Sequence, residues 1–167
     1  MTKLPSVLCC VIILSFSCSD MPKVDKALVY STLNDIIQQD SIFAWTVCSK
    51  FDRVAIPDYI QKEFFNRDKK FIHEQLKNSL NARVDTGQLY IYSRRRKGVI
   101  KSLIDTTCSI NILYRFTYPI FSKDLQTVVV GVTEDCNCML GGWSFKAVYK
   151  RQNGKWVRVK KYEYWIS

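Results

Sequence analysis

The chain has 167 residues, of which 47% are hydrophobic and 24% are charged. This length suits one folded domain, and the composition excludes an intrinsically disordered protein. The formal net charge of +10 is high and favours negatively charged partners.

The N-terminal segment has the features of an export signal. A lysine is followed by a mostly apolar run over residues 4–16, too short for the ~20 residues of a membrane-spanning helix and typical of a signal-peptide core. The run leads into Leu14-Ser-Phe-Ser-Cys18-Ser-Asp, which resembles the lipobox of bacterial lipoproteins of the Bacteroidota type. It departs from the commonest form at Ser15 and Phe16, where leucine-type and alanine-type residues usually stand.

This resemblance implies that Cys18 is lipidated and becomes the N-terminus once residues 1–17 are removed. The removed segment holds one lysine and no acid, so the mature chain carries a charge of +9. Several acyl chains give stable anchoring, because each buried CH₂ contributes ~0.8 kcal/mol. We therefore expect a domain of the cell envelope that a lipid anchors to a membrane and that faces the periplasm or the exterior. The alternative is an ordinary cleaved signal peptide with an incidental cysteine.

The mature chain begins with helical patterns. Residues 18–23 form a short polar tether, and residues 24–167 form a single domain because no repeat or linker divides them. Apolar residues at helical spacing predict an amphipathic helix over Val24–Gln39, without the basic stripe of a membrane-surface helix. A second region of the domain covers Tyr59–Phe65. After it, apolar residues at helical spacing predict a further helix over Asp68–Leu80.

The rest of the chain has the features of β-strands. Ser41–Val47 is ambiguous between strand and helix, whereas alternation predicts a strand over Gly87–Ser93. Runs of β-branched and aromatic residues predict strands over Ile112–Phe121 and Thr127–Thr133. Pro119 lacks a backbone donor and therefore indicates a strand end or an edge. The Val-Val-Val-Gly-Val core of the strand over Thr127–Thr133 suggests burial on both faces of a sheet.

The clearest local signal is a β-hairpin over Trp143–Ile166. The Asn-Gly pair at residues 153–154 supplies the two positive φ angles of a type I′ turn. Alternation along the first strand predicts one packed face and one solvated face, with Val148 as the exception. The apolar residues of the second strand change parity, so we expect a bulge near residues 160–161.

Together these patterns predict an α+β fold with N-terminal helices packed on a C-terminal antiparallel meander sheet. This order resembles the cone-like nuclear transport factor 2-like and cystatin-like folds, whose concave face often holds a ligand. From Tyr118 onward, the Cys-Asn-Cys-Met-Leu-Gly-Gly loop, the Asn-Gly-Lys-Trp-Val turn and the closing Tyr-Trp-Ile-Ser are similar to a pattern in small Bacteroidota proteins. That family has no assigned activity, so the resemblance implies no catalytic residue.

Four cysteines remain once the signal peptide and the lipidation site are set aside, namely Cys48, Cys108, Cys136 and Cys138. Thiols outside the cytoplasm tend to oxidise, and four cysteines allow three complete pairings. A disulfide between Cys136 and Cys138 is one candidate, although its one-residue spacer requires a tight turn. No metal site is predicted, because zinc needs four Cys or His ligands and the single histidine, His73, stands on a predicted helix.

The densest basic run is Arg94, Arg95, Arg96 and Lys97, and further lysines and arginines follow on the terminal hairpin. A solvated face is the simplest interpretation of such a run. Anionic lipid headgroups or acidic polysaccharide are the alternative partners. Nucleic acid is not expected as a partner, because a tethered domain outside the cytoplasm seldom meets it.

No cofactor is predicted, because no nucleophile elbow, zinc-protease motif, phosphate-binding loop or dinucleotide fingerprint occurs in the sequence. The adjacent acids Glu134 and Asp135 are expected to be solvated in a loop. The sequence favours a binding or structural module of the envelope, and a small hydrolase with an aromatic-lined pocket is the alternative. A deep pocket with convergent acids would favour the hydrolase. A sheet face that is filled by side chains would favour the binding or structural module.

Overall fold

The computed structural model describes residues 21–42, 46–85, 87–92, 99–101, 103–109, 112–136 and 141–166. The elements in chain order are α1 (Lys26–Gln39), β1 (Thr46–Cys48), α2 (Asp58–Phe64), α3 (Lys69–Ser79), β2 (Tyr90–Tyr92), β3 (Val99–Lys101), β4 (Leu103–Asp105), β5 (Ile112–Phe116), β6 (Ile120–Phe121), β7 (Thr127–Cys136), β8 (Trp143–Gln152) and β9 (Lys155–Ile166). The predicted α+β class, with helices before most of the sheet, is confirmed.

The main sheet has the strand order β4-β1-β5-β7-β8-β9, and β6 also pairs with β7, while β2 and β3 pair separately. Antiparallel pairing connects β5, β6, β7, β8 and β9, as the meander prediction requires. However, β1 lies between β4 and β5 and pairs with both of them in parallel. The N-terminal half therefore adds a strand to the sheet, and this strand comes from the ambiguous segment after α1.

Helices cover both faces of the sheet. On one face, which we call the α1 face, α1 packs against alternate β7 residues that include Val128 and Val130. On the opposite face, α2 and α3 pack against Val129 and Val148. All four valines are 0% exposed, and the three that belong to β7 confirm its predicted burial on both faces. Val148, the predicted exception on the solvated face of β8, is buried because α2 and α3 cover that part of the strand.

The terminal hairpin has the predicted turn. Asn153 and Gly154 both adopt positive φ angles, 50° and 78°. The pairing register between β8 and β9 shifts twice, which leaves one extra residue in β9 at Val159 and another within residues 163–164. These two bulges lie on either side of the predicted position, and they decide which side chains of β9 reach the α1 face.

Candidate ligand-binding site

A cavity of about 400 Å³ lies on the α1 face, between the end of α1 and strands β5, β7, β8 and β9. Aromatic, acidic and basic side chains line it together. They include Tyr114, Trp143, Phe145, Tyr164, Asp40, Glu134, Arg158 and Lys161. A concave surface that combines aromatic rings with a few converging polar groups is typical of ligand sites.

The rings of the cavity are ordered by strand alternation. Trp143 and Phe145 are two residues apart on β8, so they share a face, and they stack with centroids 5.6 Å apart and 7° between their planes. Tyr114 meets Trp143 edge-on at a centroid distance of 6.1 Å. Stacked and edge-on contacts are the favourable arrangements of aromatic pairs. The rings therefore form a fixed wall.

Glu134 stands between two of these rings because of the sheet register. It is the cross-strand partner of Tyr114 on β5 and of Trp143 on β8. The Tyr114 hydroxyl donates to Glu134 Oε2, and Trp143 Nε1 donates to the same oxygen at 2.9 Å. Glu134 Oε1 accepts no hydrogen bond from the residues that the structure describes. This oxygen can therefore accept a hydrogen bond from a ligand.

The expectation that Glu134 and Asp135 lie in a loop is wrong, and the expected solvation holds only for Asp135. Both belong to β7, which continues to Cys136, and Glu134 is half-buried. Asp135 is more exposed but forms an ion pair with Arg115, at 3.4 Å between Nε and Oδ2. The longer strand thus places one acid in the cavity.

Asp40 joins the end of α1 to the sheet. Its side chain is 7% exposed, and its Oδ2 accepts hydrogen bonds from the Tyr149 hydroxyl and from Arg158 Nη1, the latter at 2.9 Å. Burial, reinforced by the charge of Asp40, raises the pKa of Tyr149 far above its ordinary value, so this hydroxyl stays protonated and donates. The charge of Asp40 is therefore compensated within the protein.

The bulges of β9 bring two cations to the cavity. Residues three apart point to opposite faces of a regular strand, but the extra residue Val159 places Arg158 and Lys161 on the same face. Lys161 Nζ lies 3.8 Å from the ring centroid of Tyr164 and 4.8 Å from that of Phe145. Desolvation, and then the charge of Arg158, lower the pKa of Lys161.

Lys161 differs from its neighbours Arg158 and Lys160, each of which forms an ion pair with an acid. No carboxylate in the described parts of the chain forms an ion pair with its ammonium group. The described ion pairs of the basic residues on β8 and β9 are Arg158–Asp40, Lys160–Glu63 and Lys146–Glu163. Lys161 therefore offers the cavity an ammonium group that forms no ion pair with these residues, and the charge of Asp40 acts on it from beyond ion-pair distance.

A disulfide joins Cys48 and Cys108, with 4.9 Å between their Cα atoms. It connects the end of β1 to the turn that follows β4, beside Arg115, whose Nη2 donates to the Cys108 carbonyl at 3.1 Å. Cys138 and the side chain of Cys136 lie outside the described residues. Only one of the three complete pairings contains the bond between Cys48 and Cys108, and that pairing also joins Cys136 to Cys138. The second bond stays a prediction.

The remaining predicted site residues are distant from the cavity in sequence. Cys18 and the run Arg94–Lys97 lie outside the described residues. His73 lies on a helix, α3, as predicted, and its side chain is exposed. Within the described ranges, no cluster of three or more His, Cys, Asp or Glu side chains is suited to hold a metal ion. None of the described helices combines the length and the hydrophobicity needed to cross a membrane.

In comparisons with known proteins, no family model, no curated protein and no solved structure matches the chain. The function is therefore inferred from the chemistry of the cavity and from the disulfide.

Proposed function

We propose that this protein is a lipid-anchored binding domain of the cell envelope, and that it holds its ligand in the aromatic cavity on the α1 face. The cavity itself carries the proposal. It combines a fixed wall of rings with two groups that have no hydrogen-bond or ion-pair partner among the described residues, Glu134 Oε1 and the Lys161 ammonium. Rings supply contact area, and a few unsatisfied polar groups supply orientation and specificity.

The disulfide supports a location outside the cytoplasm. Disulfides persist in oxidising compartments and are rare in the cytosol, where thiols are kept reduced. The bond between Cys48 and Cys108 is thus consistent with the export signal and with the lipobox-like sequence around Cys18. Two independent features of the chain support the same compartment.

A small hydrolase is the alternative function, because two acids line the same cavity and most glycosidases use a pair of carboxylates. Asp40 is a poor candidate for either catalytic role, since its side chain is 7% exposed and is held by Arg158 and Tyr149. Glu134 is then the one remaining acid among the described residues of the cavity lining, and hydrolysis by this route needs a second carboxylate as acid, base or nucleophile. The arrangement therefore favours binding over hydrolysis.

The anchor is tested by the substitution Cys18→Ala. We expect this variant to leave the membrane fraction or to remain unprocessed, because the lipobox cysteine is the residue that receives the acyl chains. Cell fractionation and intact mass measure both outcomes. Cys10→Ala is the matched control, since it changes a cysteine within the apolar run and is expected to be processed normally. A Cys18→Ala protein that stays in the membrane with an unchanged mass would contradict lipid anchoring.

Binding in the cavity is tested with Trp143→Ala. We expect the variant to bind its ligand at least about tenfold more weakly, because it loses the central ring of the wall. The mature lipoprotein in phosphatidylcholine nanodiscs is titrated with a neutral oligosaccharide, an acidic oligosaccharide and a soluble anionic phospholipid. Trp165→Ala is the control, because Trp165 is 46% exposed and is not part of the cavity lining. The proposal fails if no probe binds in a manner that depends on Trp143.

A further inference from the structure

We infer that the ligand of the cavity is an acidic saccharide, meaning a sugar ring that carries a carboxylate. The inference rests on the proposed binding function and specifies its ligand class. Three groups of the cavity match three parts of such a ligand. Lys161 matches the carboxylate, Glu134 matches a hydroxyl group, and the rings around Trp143 match the apolar face of the sugar.

The anionic part follows from the surroundings of Lys161. Its ammonium is placed by cation–π contacts with Tyr164 and Phe145, at 3.8 and 4.8 Å from their centroids. Arg158, the other cation of the cavity, already has Asp40 as its counter-charge. A ligand carboxylate beside Lys161 supplies the direct ion pair that the described residues do not. A charge-assisted hydrogen bond of this kind is roughly twice as strong as one between neutral groups.

The hydroxyl part follows from Glu134. Both neutral donors that hold this side chain, the Tyr114 hydroxyl and the Trp143 indole, bind the same oxygen, Oε2. Oε1 is therefore free to accept a hydrogen bond from a ligand. A sugar hydroxyl can donate this hydrogen bond, whereas an anionic group has no proton to donate. A ligand that places a second negative charge beside Glu134 is therefore disfavoured. A single carboxylate on a hydroxylated ring matches Lys161 and Glu134 together.

The apolar part follows from the rings. Trp143 is half-buried and Tyr164 is 54% exposed, so both present ring surface at the cavity. The C–H face of a sugar ring packs on such surfaces, while its hydroxyl groups reach the polar rim. The carboxylate of a fatty acid could contact Lys161, and its chain could pack on the rings. However, Glu134 Oε1 would then have no hydrogen-bond donor, which is unfavourable for a half-buried acceptor.

The position of the cavity favours a polysaccharide over the headgroups of the anchoring membrane. The predicted anchor precedes the N-terminal end of α1, whereas Asp40 and the cavity lie at its C-terminal end. A helix of 14 residues is about 21 Å long. The length of α1 thus separates the cavity from the point where the tether joins the domain.

The test is calorimetric titration of the mature lipoprotein, in phosphatidylcholine nanodiscs, with trigalacturonic acid, neutral galactotriose and dihexanoyl-phosphatidylglycerol. We expect the acidic trisaccharide to bind at least about tenfold more tightly than the neutral one. Lys161→Gln should remove this preference, and Lys161→Arg, which keeps the charge, should retain it. Lys77→Gln is the matched control, because Lys77 is an exposed lysine on α3, outside the cavity lining.

Each other outcome overturns the inference. Equal affinity for the two trisaccharides would contradict the proposed contact between the ligand carboxylate and Lys161. Equal effects of Lys161→Gln and Lys77→Gln would contradict it as well. Binding of the phospholipid alone assigns the cavity to a lipid headgroup instead. In both cases the proposed binding function survives if Trp143→Ala still weakens binding at least about tenfold. If none of the three probes binds, the acidic saccharide and the proposed function both fail.

Discussion

Reduction of the disulfide between Cys48 and Cys108 is expected to lower the free energy of unfolding by about 4 kcal/mol. The two cysteines are 60 residues apart in sequence, and a closed loop of that size removes roughly this much conformational free energy from the unfolded chain. The bond also secures β1, which has three residues and lies between β4 and β5. Few hydrogen bonds hold so short a strand, so the disulfide is a large part of what keeps it in the sheet.

Urea unfolding of the oxidised and reduced protein, and of the double variant Cys48→Ser/Cys108→Ser, measures this difference. Under denaturing and non-reducing conditions, the native protein should show fewer than four reactive thiols among its four mature cysteines outside the anchor. The matched control is Cys136→Ser/Cys138→Ser, which is expected to lose less stability because a disulfide there would close a much shorter loop. An unchanged unfolding midpoint in the Cys48→Ser/Cys108→Ser variant would sink this prediction.

The second large effect is expected from Asp40→Ala, which should lower the free energy of unfolding by about 2–3 kcal/mol. The substitution leaves the hydroxyl of Tyr149, a residue that is 0% exposed, without its acceptor, and it leaves Arg158 without its counter-charge. Removal of one partner from a fully buried ion pair costs about 3–5 kcal/mol. We expect less here, because the side chain of Arg158 is 39% exposed and water screens it.

Two further variants isolate the cause of this effect. Asp35→Ala removes an exposed acid from the same helix and should change the unfolding free energy by less than about 0.5 kcal/mol. Adding Tyr149→Phe to Asp40→Ala removes the unsatisfied hydroxyl and should recover part of the loss. Urea titrations of all three variants measure these differences. If Asp40→Ala is no more destabilised than Asp35→Ala, then Asp40 does not connect α1 to the sheet.

Features encoded by neighbouring residues were predictable from the sequence. The Asn-Gly pair at residues 153–154 defines its turn through local φ preferences, and the run of valines in β7 indicated burial on both faces. The change of parity along β9 also predicted a bulge. Each of these signals lies within about a dozen residues, where backbone geometry dictates the pattern.

The fold features that the sequence did not predict depend on contacts between distant segments. Nothing local indicates that β1 inserts in parallel between β4 and β5. The spacing of the cysteines drew attention to Cys136 and Cys138, because a pair that is close in sequence is visible, whereas Cys48 and Cys108 meet only after the strands have paired. Loop closure over 60 residues leaves no local trace in the sequence.

The residues that line the cavity were missed for the same reason. Glu134 acquires its two partners through the sheet register, and those partners are 20 and 9 residues away along the chain. Register is set by the whole hydrophobic pattern and by the turns rather than by a motif. Lys161 and Arg158 would lie on opposite faces of a regular strand, so their shared face follows only from the position of the bulge.

The most direct test of the central claim is a titration followed by nuclear magnetic resonance, in which trigalacturonic acid is added to the mature protein. The indole N–H of Trp143 reports on the cavity, because it donates to Glu134. The indole of Trp156, a residue that is 4% exposed and outside the cavity lining, is the internal control. We predict that the Trp143 resonance shifts and saturates while that of Trp156 stays in place. A Trp143 resonance that does not move, or equal shifts of both indoles, would contradict binding in this cavity.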